Sequence, residues 1–205
     1  MHDLVLASAS QTRRRMLEAA GLEFRVVPAE VDEDDLRRNL TDPDHHVTAS
    51  GGTPVRMAAM LARAKAEEVS RRYPNALVIG ADQILALGRE VFTKSANQAA
   101  ARDALRRLSG RTHQLHSAVA LAVGGESKWH EVHTANLTMR ALSDRFLDDY
   151  LARAGERVCI SVGAYEIEGL GIQLFQGIEG DYFTILGLPL LPLLAELRRR
   201  GALTT

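Results

Sequence analysis

The segment Ala76-Leu-Val-Ile-Gly-Ala-Asp-Gln83 constrains this chain more than any other stretch. An apolar run of that length, bounded by Pro74-Asn75 and Gly80, reads as a buried strand. Its C-terminal end would release the carboxylate of Asp82, followed by the amide of Gln83, into whatever crevice lies beyond. Ligands of open α/β sheets bind at such strand ends. On these residues alone, an aspartate that merely caps a turn is an equal reading, so the rest of the chain has to decide.

The periodicity around this run alternates between short strands and longer helices, which defines an α/β class. Leu4 to Ala7 reads as a strand, Gln11 to Ala20 as a helix ending at Gly21, and Phe24 to Val27 as a second strand, together a βαβ opening. Residues 38 to 53 collect Asn, Asp, Pro, Thr and Gly and read as a loop or mobile segment. Thr53-Pro54 starts a helix running to about Arg72. A hairpin is expected around Gly88, and Asn97 caps a helix to Leu108. Thr112 to Val123 and Lys128 to Met139 form an antiparallel hairpin through Gly124-Gly125. Ser143 begins a helix to Arg153, Gly163 to Phe175 reads as strand with glycine interruptions, and a terminal helix runs from Pro189 or Leu190 to Arg200.

Composition narrows the partners. The chain has 205 residues, 46% of them hydrophobic, enough to bury a substantial core as one domain or two intimately packed lobes. A formal net charge of -1 gives no global positive field for a polyphosphate backbone, so stable nucleic-acid binding is not expected. The single cysteine, Cys159, allows no intrachain disulfide; with apolar Val158 and Ile160 beside it, it reads as a packed thiol in a reducing cytoplasm. No secretory leader is recognisable at Met1 to Leu6, and the longest apolar-rich tract, Ile185 to Leu194, is short and holds two prolines, so no membrane association is expected.

Two further clusters carry chemistry. In Ala7-Ser-Ala-Ser-Gln-Thr-Arg-Arg-Arg15, small residues at a strand-to-helix junction leave backbone N–H groups at the positive end of a helix dipole, with arginines alongside. That is an anion site in outline, although a serine cap followed by solvated arginines is the commoner arrangement. Glu30, Asp32, Glu33, Asp34 and Asp35 follow a strand closely, and such carboxylates can hold a hard divalent cation through oxygen, or simply begin a solvated helix. With Lys65 and Lys94, these groups together suit phosphoryl chemistry, in which catalysis is mostly charge neutralisation and positioning.

Several separated motifs, in one order, resemble the Maf branch of the Maf/HAM1 superfamily of house-cleaning nucleoside triphosphate pyrophosphatases. They are Leu6-Ala-Ser-Ala-Ser-Gln-Thr-Arg13, Val31-Asp-Glu33, Ala64-Lys65-Ala66, Ile79-Gly-Ala-Asp-Gln83, Lys94, Leu108-Ser-Gly110, Gly163-Ala-Tyr-Glu-Ile-Glu-Gly169, Ile178-Glu-Gly-Asp-Tyr182 and Leu186-Gly-Leu-Pro189. The resemblance implies a single Maf-like domain over 1–205, with an elongated mixed sheet flanked by helices and two lobes around a deep nucleotide-binding cleft. It also implies metal-dependent hydrolysis of a nucleoside triphosphate to the monophosphate and pyrophosphate, with Mg or Mn as the cation. By the same resemblance Asp82 is the general base, Ser10 and Arg13 bind phosphate, Glu33 joins Asp82 as a metal ligand, and Lys65 and Lys94 are catalytic. Gln11 replaces the usual proline after Ser10, and Thr93-Lys94-Ser95 replaces Gly-Lys-Pro. A homodimer through the hairpin and terminal helix is the assembly these surfaces would support.

Substrate choice in that family is linked to three positions, which fall here on Thr12, Gln83 and Glu168. Gln83 and Glu168 resemble the branch acting on 7-methyl-GTP, whereas Thr12 matches neither that branch nor the one acting on dTTP and UTP. Donor counting points the same way, because adjacent guanine N1–H and N2–H groups suit a carboxylate. The competing readings are a dTTP and UTP pyrophosphatase, a nucleotide-binding regulator without turnover, and a nucleic-acid module built on Arg13, Arg14 and Arg15.

Overall fold

A computed structural model of the chain describes residues 3–36 and 53–204. The loop expected at 38 to 53 lies outside them except for Thr53, which opens a helix. The architecture is mixed α/β: a seven-stranded sheet flanked by helices. The strands are β1 Leu4–Ala7, β2 Arg25–Val26, β3 Leu77–Leu87, β4 Glu90–Phe92, β5 Thr112–Val123, β6 Glu126–Met139 and β7 Phe175–Glu179. The helices are α1 Gln11–Ala19, α2 Thr53–Arg72, α3 Gln98–Leu108, α4 Asp144–Ala154, a short α5 Tyr182–Ile185 and α6 Leu190–Arg199. Sheet order is β2-β1-β3-β5-β6-β7, with β4 paired to β3.

β1 runs parallel to both β2 and β3, so the βαβ opening is present. The two residues between β5 and β6, Gly124 and Gly125, have φ of 60° and 86°. Left-handed backbone at both centres is what a type I′ hairpin turn needs, and a connection of two residues permits only antiparallel pairing. Asn97 and Ser143 cap α3 and α4 by accepting hydrogen bonds from the amides of Ala100 and Phe146, as their side-chain chemistry predicts.

Three expectations are corrected. The strand expected to end near Gly80 continues to Leu87, because Ile84, Leu85 and Ala86 resume the buried apolar run after the polar pair Asp82-Gln83. The strand expected over Gly163 to Phe175 is a turn followed by a 3-10 segment, Leu170–Leu174, and extended structure begins only at Phe175. Gly163 and Ala164 both have positive φ, 85° and 62°, a backbone state that breaks a strand. Cys159, expected to be packed, is half-buried.

The chain forms two compact units, the first from the described parts of Met1–Gln83, His116–His133 and Asp181–Thr205, the second from Ile84–Leu115 and Thr134–Gly180. In the first unit the twofold alternation of the strands divides the core. Leu4 and Leu6 of β1 join Leu77, Ile79 and Ala81 of β3 in a cluster with Met16 and Leu17 of α1 and Leu190, Leu193 and Leu197 of α6. Val5, Ala7 and Val78 join a second cluster with Val69 of α2. The first unit is therefore a sheet with α1 and α6 on one face and α2 on the other.

In the second unit, Arg102 pairs with Asp148 at 2.6 Å and Arg106 with Asp144 at 2.7 Å, tying α3 to α4 at the surface. Its interior holds His113 with Nε2 2.7 Å from Tyr165 Oη. Burial pulls the His113 pKa down to about 4, so it packs as a neutral ring against Tyr165 and Phe175.

Candidate active site

Strand parity decides what the Asp82-Gln83 pair can do. Because β3 continues through both residues, their side chains leave opposite faces of the sheet. Asp82 shares the face of Val78 and Gly80, on which α2 lies; Gln83 shares the face of Ile79 and Ala81.

On the α2 face, Gly80 sets the spacing. A Cβ there would lie 2.2 Å from the Ala62 carbonyl oxygen and 2.7 Å from the Ala66 amide nitrogen, so only glycine lets the helix backbone rest on the strand. That approach brings Lys65 to Asp82. The Lys65 ammonium donates to Asp82 Oδ1 at 2.6 Å and stands 2.7 Å from Glu33 Oε1, bridging two carboxylates from separate segments. Asp82 is buried, and its second oxygen, Oδ2, accepts no hydrogen bond among the described residues.

The strand-to-helix turn after β1 supplies the neighbouring cation. Ser10 caps α1, its Oγ accepting from the Arg13 amide at 3.4 Å. Ser8, which carried no role in the sequence reading, accepts from the Ser10 amide at 3.2 Å and from Arg13 Nη1 at 3.3 Å. Arg13 also donates through Nη1 to the Ala81 carbonyl at 2.9 Å and through Nε to the Gly187 carbonyl at 2.8 Å. Burial lowers the Arg13 pKa, while the charges of Asp82 and then Glu33 act to raise it. A guanidinium so placed remains cationic. Arg13, Lys65, Asp82 and Glu33 are thus a balanced group of two cations and two anions. Arg14 and Arg15 are exposed, and Arg14 is occupied by Glu18 at 2.7 Å.

Gln83 is locked from its own side. Its Nε2 donates to the carbonyls of Ile185 at 3.0 Å and Thr184 at 3.2 Å and to Ser117 Oγ at 2.9 Å, while Ser117 gives its own proton to the Thr184 carbonyl at 2.7 Å. Those acceptors fix the amide's polarity, leaving Oε1 as the group Gln83 can present. A Cβ on Gly187 would lie 3.6 Å from that oxygen and 3.5 Å from Arg13 Nη2, so both groups border the same glycine. Sequence reasoning missed this support. Asp181, which caps α5 through the Thr184 amide at 2.7 Å, was legible as an Asp-x-x-Thr cap, but its connection to Gln83 is tertiary.

Thr12 is half-buried in the first turn of α1. Lys94 and Glu168 belong to the second unit, where both are exposed. Lys94 forms an isolated antiparallel bridge with Val162, which draws it toward the segment leading to Glu168. The salt bridge weighed for Glu168 falls instead on Glu166, which pairs with Arg157 at 2.5 Å; among the described residues none is formed by Glu168. A surface cavity of about 450 Å³, lined by Arg14, Glu18, Leu22, Glu23, Phe24 and Val26, includes none of the site residues.

The donor set fits a magnesium-class ion. Asp82 and Glu33 offer hard oxygens, Asp82 Oδ2 is buried and unsatisfied, and such ions take one or two carboxylates and complete their shell with water and phosphate. Among the described residues, no group of three or more metal-ligating side chains converges.

Fold and site together define a mixed α/β protein with an arginine-bearing helix start beside a buried carboxylate. The model of the Maf-like protein family matches residues 3–200, and the chain belongs to that family. A 7-methyl-GTP pyrophosphatase of Rhizobium meliloti (strain 1021) is 52% identical over 200 residues, covering 98% of this chain and 97% of that protein. A second 7-methyl-GTP pyrophosphatase, of Mesorhizobium japonicum, is 54% identical with the same coverage. A nucleoside triphosphate pyrophosphatase of Granulibacter bethesdensis is 48% identical, covering 98% of each chain. Among the described residues, no helix is long and apolar enough to cross a membrane.

Proposed function

We propose that this protein is a metal-dependent nucleoside triphosphate pyrophosphatase with a preference for 7-methyl-GTP. The observation that carries the reading is the Lys65 bridge between buried Asp82 and Glu33, with Arg13 close enough for both carboxylates to influence its charge. Family membership and the names of the relatives support it.

Asp82 orients a water molecule through Oδ2 and accepts its proton as the water oxygen adds to the α-phosphorus. The α–β bridging bond breaks, and its oxygen leaves with the β- and γ-phosphates as pyrophosphate. Arg13 Nη2, which makes no bond within the protein among the described residues, holds a phosphate oxygen, and the helix start at Ser10 adds its dipole and hydroxyl. Lys65 neutralises charge moving toward the leaving group. A magnesium or manganese ion held by Asp82 and Glu33 would polarise the phosphate and lower the pKa of the attacking water. Product analysis with canonical and 7-methylated triphosphates tests the reading: release of pyrophosphate and monophosphate supports it, and release of orthophosphate overturns it.

Arg13→Ala should weaken triphosphate binding and slow turnover far more than Arg15→Ala. Arg13 is held by three protein oxygens on separate segments, whereas an exposed arginine contributes at most ~1 kcal/mol. Steady-state kinetics of the two variants make the comparison, and equal losses would remove Arg13 from the phosphate site.

For base choice, the two oxygens of the Glu168 carboxylate are both acceptors. Guanine offers N1–H and N2–H together, whereas uracil and thymine place one N3–H between two carbonyls and would set an acceptor against a carboxylate oxygen. Once a bound base covers Glu168, a mismatch of that kind costs about 1–3 kcal/mol, roughly fivefold to 150-fold in kcat/KM. Glu168→Gln should therefore move relative kcat/KM toward dTTP and UTP. A wild type that hydrolyses those two best, with a ranking unmoved by Glu168→Gln, would overturn the 7-methyl-GTP preference and leave pyrophosphate release intact.

A further inference from the structure

The Lys65 ammonium stands where a cation between Asp82 and Glu33 would stand. Its 2.6 Å and 2.7 Å contacts use one oxygen of each carboxylate. Two carboxylates at such close range repel unless a positive charge separates them. Arg13 is not that separator: its contacts go to the oxygens of Gly187, Ala81 and Ser8, and neither carboxylate is among them. Lys65 has a flexible four-carbon stem and a compact charge, so its head can move while α2 stays fixed. Asp82 Oδ2 lies beside this contact, buried and unsatisfied, so the carboxylate retains acceptor capacity that the ammonium does not use.

We propose that Lys65 is the resident counter-ion of the cation position, and that its ammonium is displaced from Asp82 and Glu33 when a divalent cation enters. The proposal rests on the assignment of those carboxylates as the metal ligands. Without metal, Lys65 offsets one of the pair's two negative charges and lets the carboxylates stand close together. With metal, a double positive charge beside the ammonium favours its departure, and the freed head is available to a phosphate oxygen. Metal entry and phosphate grip become linked, and the protein binds the bare ion more weakly than its carboxylates alone would allow.

The test is Mn2+ binding in the absence of nucleotide, read from the electron paramagnetic resonance signal of the free ion, for the wild type, Lys65→Met, Lys65→Gln, Asp82→Asn and Glu33→Gln. The Lys65 variants should bind Mn2+ on the order of tenfold tighter than the wild type, the effect of removing one unit charge at close range in a partly screened site. Asp82→Asn and Glu33→Gln should bind more weakly. Lys65→Gln keeps a donor toward the carboxylates, so it carries the result if Lys65→Met fails to fold by circular dichroism. Unchanged or weaker binding by the folded Lys65 variants, with binding still lost in Asp82→Asn, overturns the counter-ion role and leaves the metal site standing. Wild-type binding by both carboxylate variants overturns the metal assignment and this inference with it.

Discussion

Asp82→Asn is expected to lower kcat for pyrophosphate release by roughly 10²- to 10⁴-fold, the range associated with removal of a positioned general base. The amide keeps the shape of the carboxylate in the tight space beneath α2, so secondary structure and melting temperature should stay near the wild type. Lys65 retains Glu33 as a partner, so no cation is stranded. The loss should appear in kcat more than in KM, because Arg13 and the helix start remain in place to bind phosphate. Purified Asp82→Asn with a wild-type rate would remove Asp82 from the chemistry.

Gly80→Ala should be the most damaging of the conservative substitutions. The added methyl would meet the Ala62 carbonyl oxygen at 2.2 Å, the Ala66 amide at 2.7 Å and the Ala66 Cβ at 2.8 Å, and two of these atoms are helix backbone that no rotamer change can move. Relief requires α2 to lift from β3. Overpacking usually costs about 1–3 kcal/mol, and a backbone clash of this depth belongs at or above the upper end. The same displacement would pull Lys65 from Asp82, so residual folded protein should also lose turnover. Urea denaturation and steady-state rates measure the two effects. A wild-type midpoint with wild-type activity would show that the close approach of α2 to β3 is not required.

Much of the fold was legible in the sequence because it depends on local rules. The caps Asn97 and Ser143, the Gly124-Gly125 turn and the βαβ opening follow from side-chain hydrogen bonding, positive φ and periodicity, and each is found where those rules put it. The extent of β3 was not legible, since a polar Asp-Gln pair after an apolar run looks the same whether it ends a strand or interrupts one. The segment after Gly163 misled for a related reason: its apolar residues suit a strand, but positive φ at Ala164 is imposed by surroundings in which Tyr150 donates to its carbonyl and Ser161 to that of Tyr165.

The candidate site divides in the same way. The sequence by itself determined which groups are chemically able to act: Ser10 and Arg13 at a helix start, carboxylates at Glu33 and Asp82, and the ammonium of Lys65. Only the tertiary structure decided their geometry. One extra stretch of strand puts Asp82 and Gln83 on opposite faces, a missing Cβ at Gly80 lets Lys65 reach Asp82, and three oxygens from Ser117, Thr184 and Ile185 turn the Gln83 amide so that its oxygen is the group presented. Side-chain chemistry is local to a residue, whereas burial, polarity and spacing arise from contacts between segments far apart in the chain.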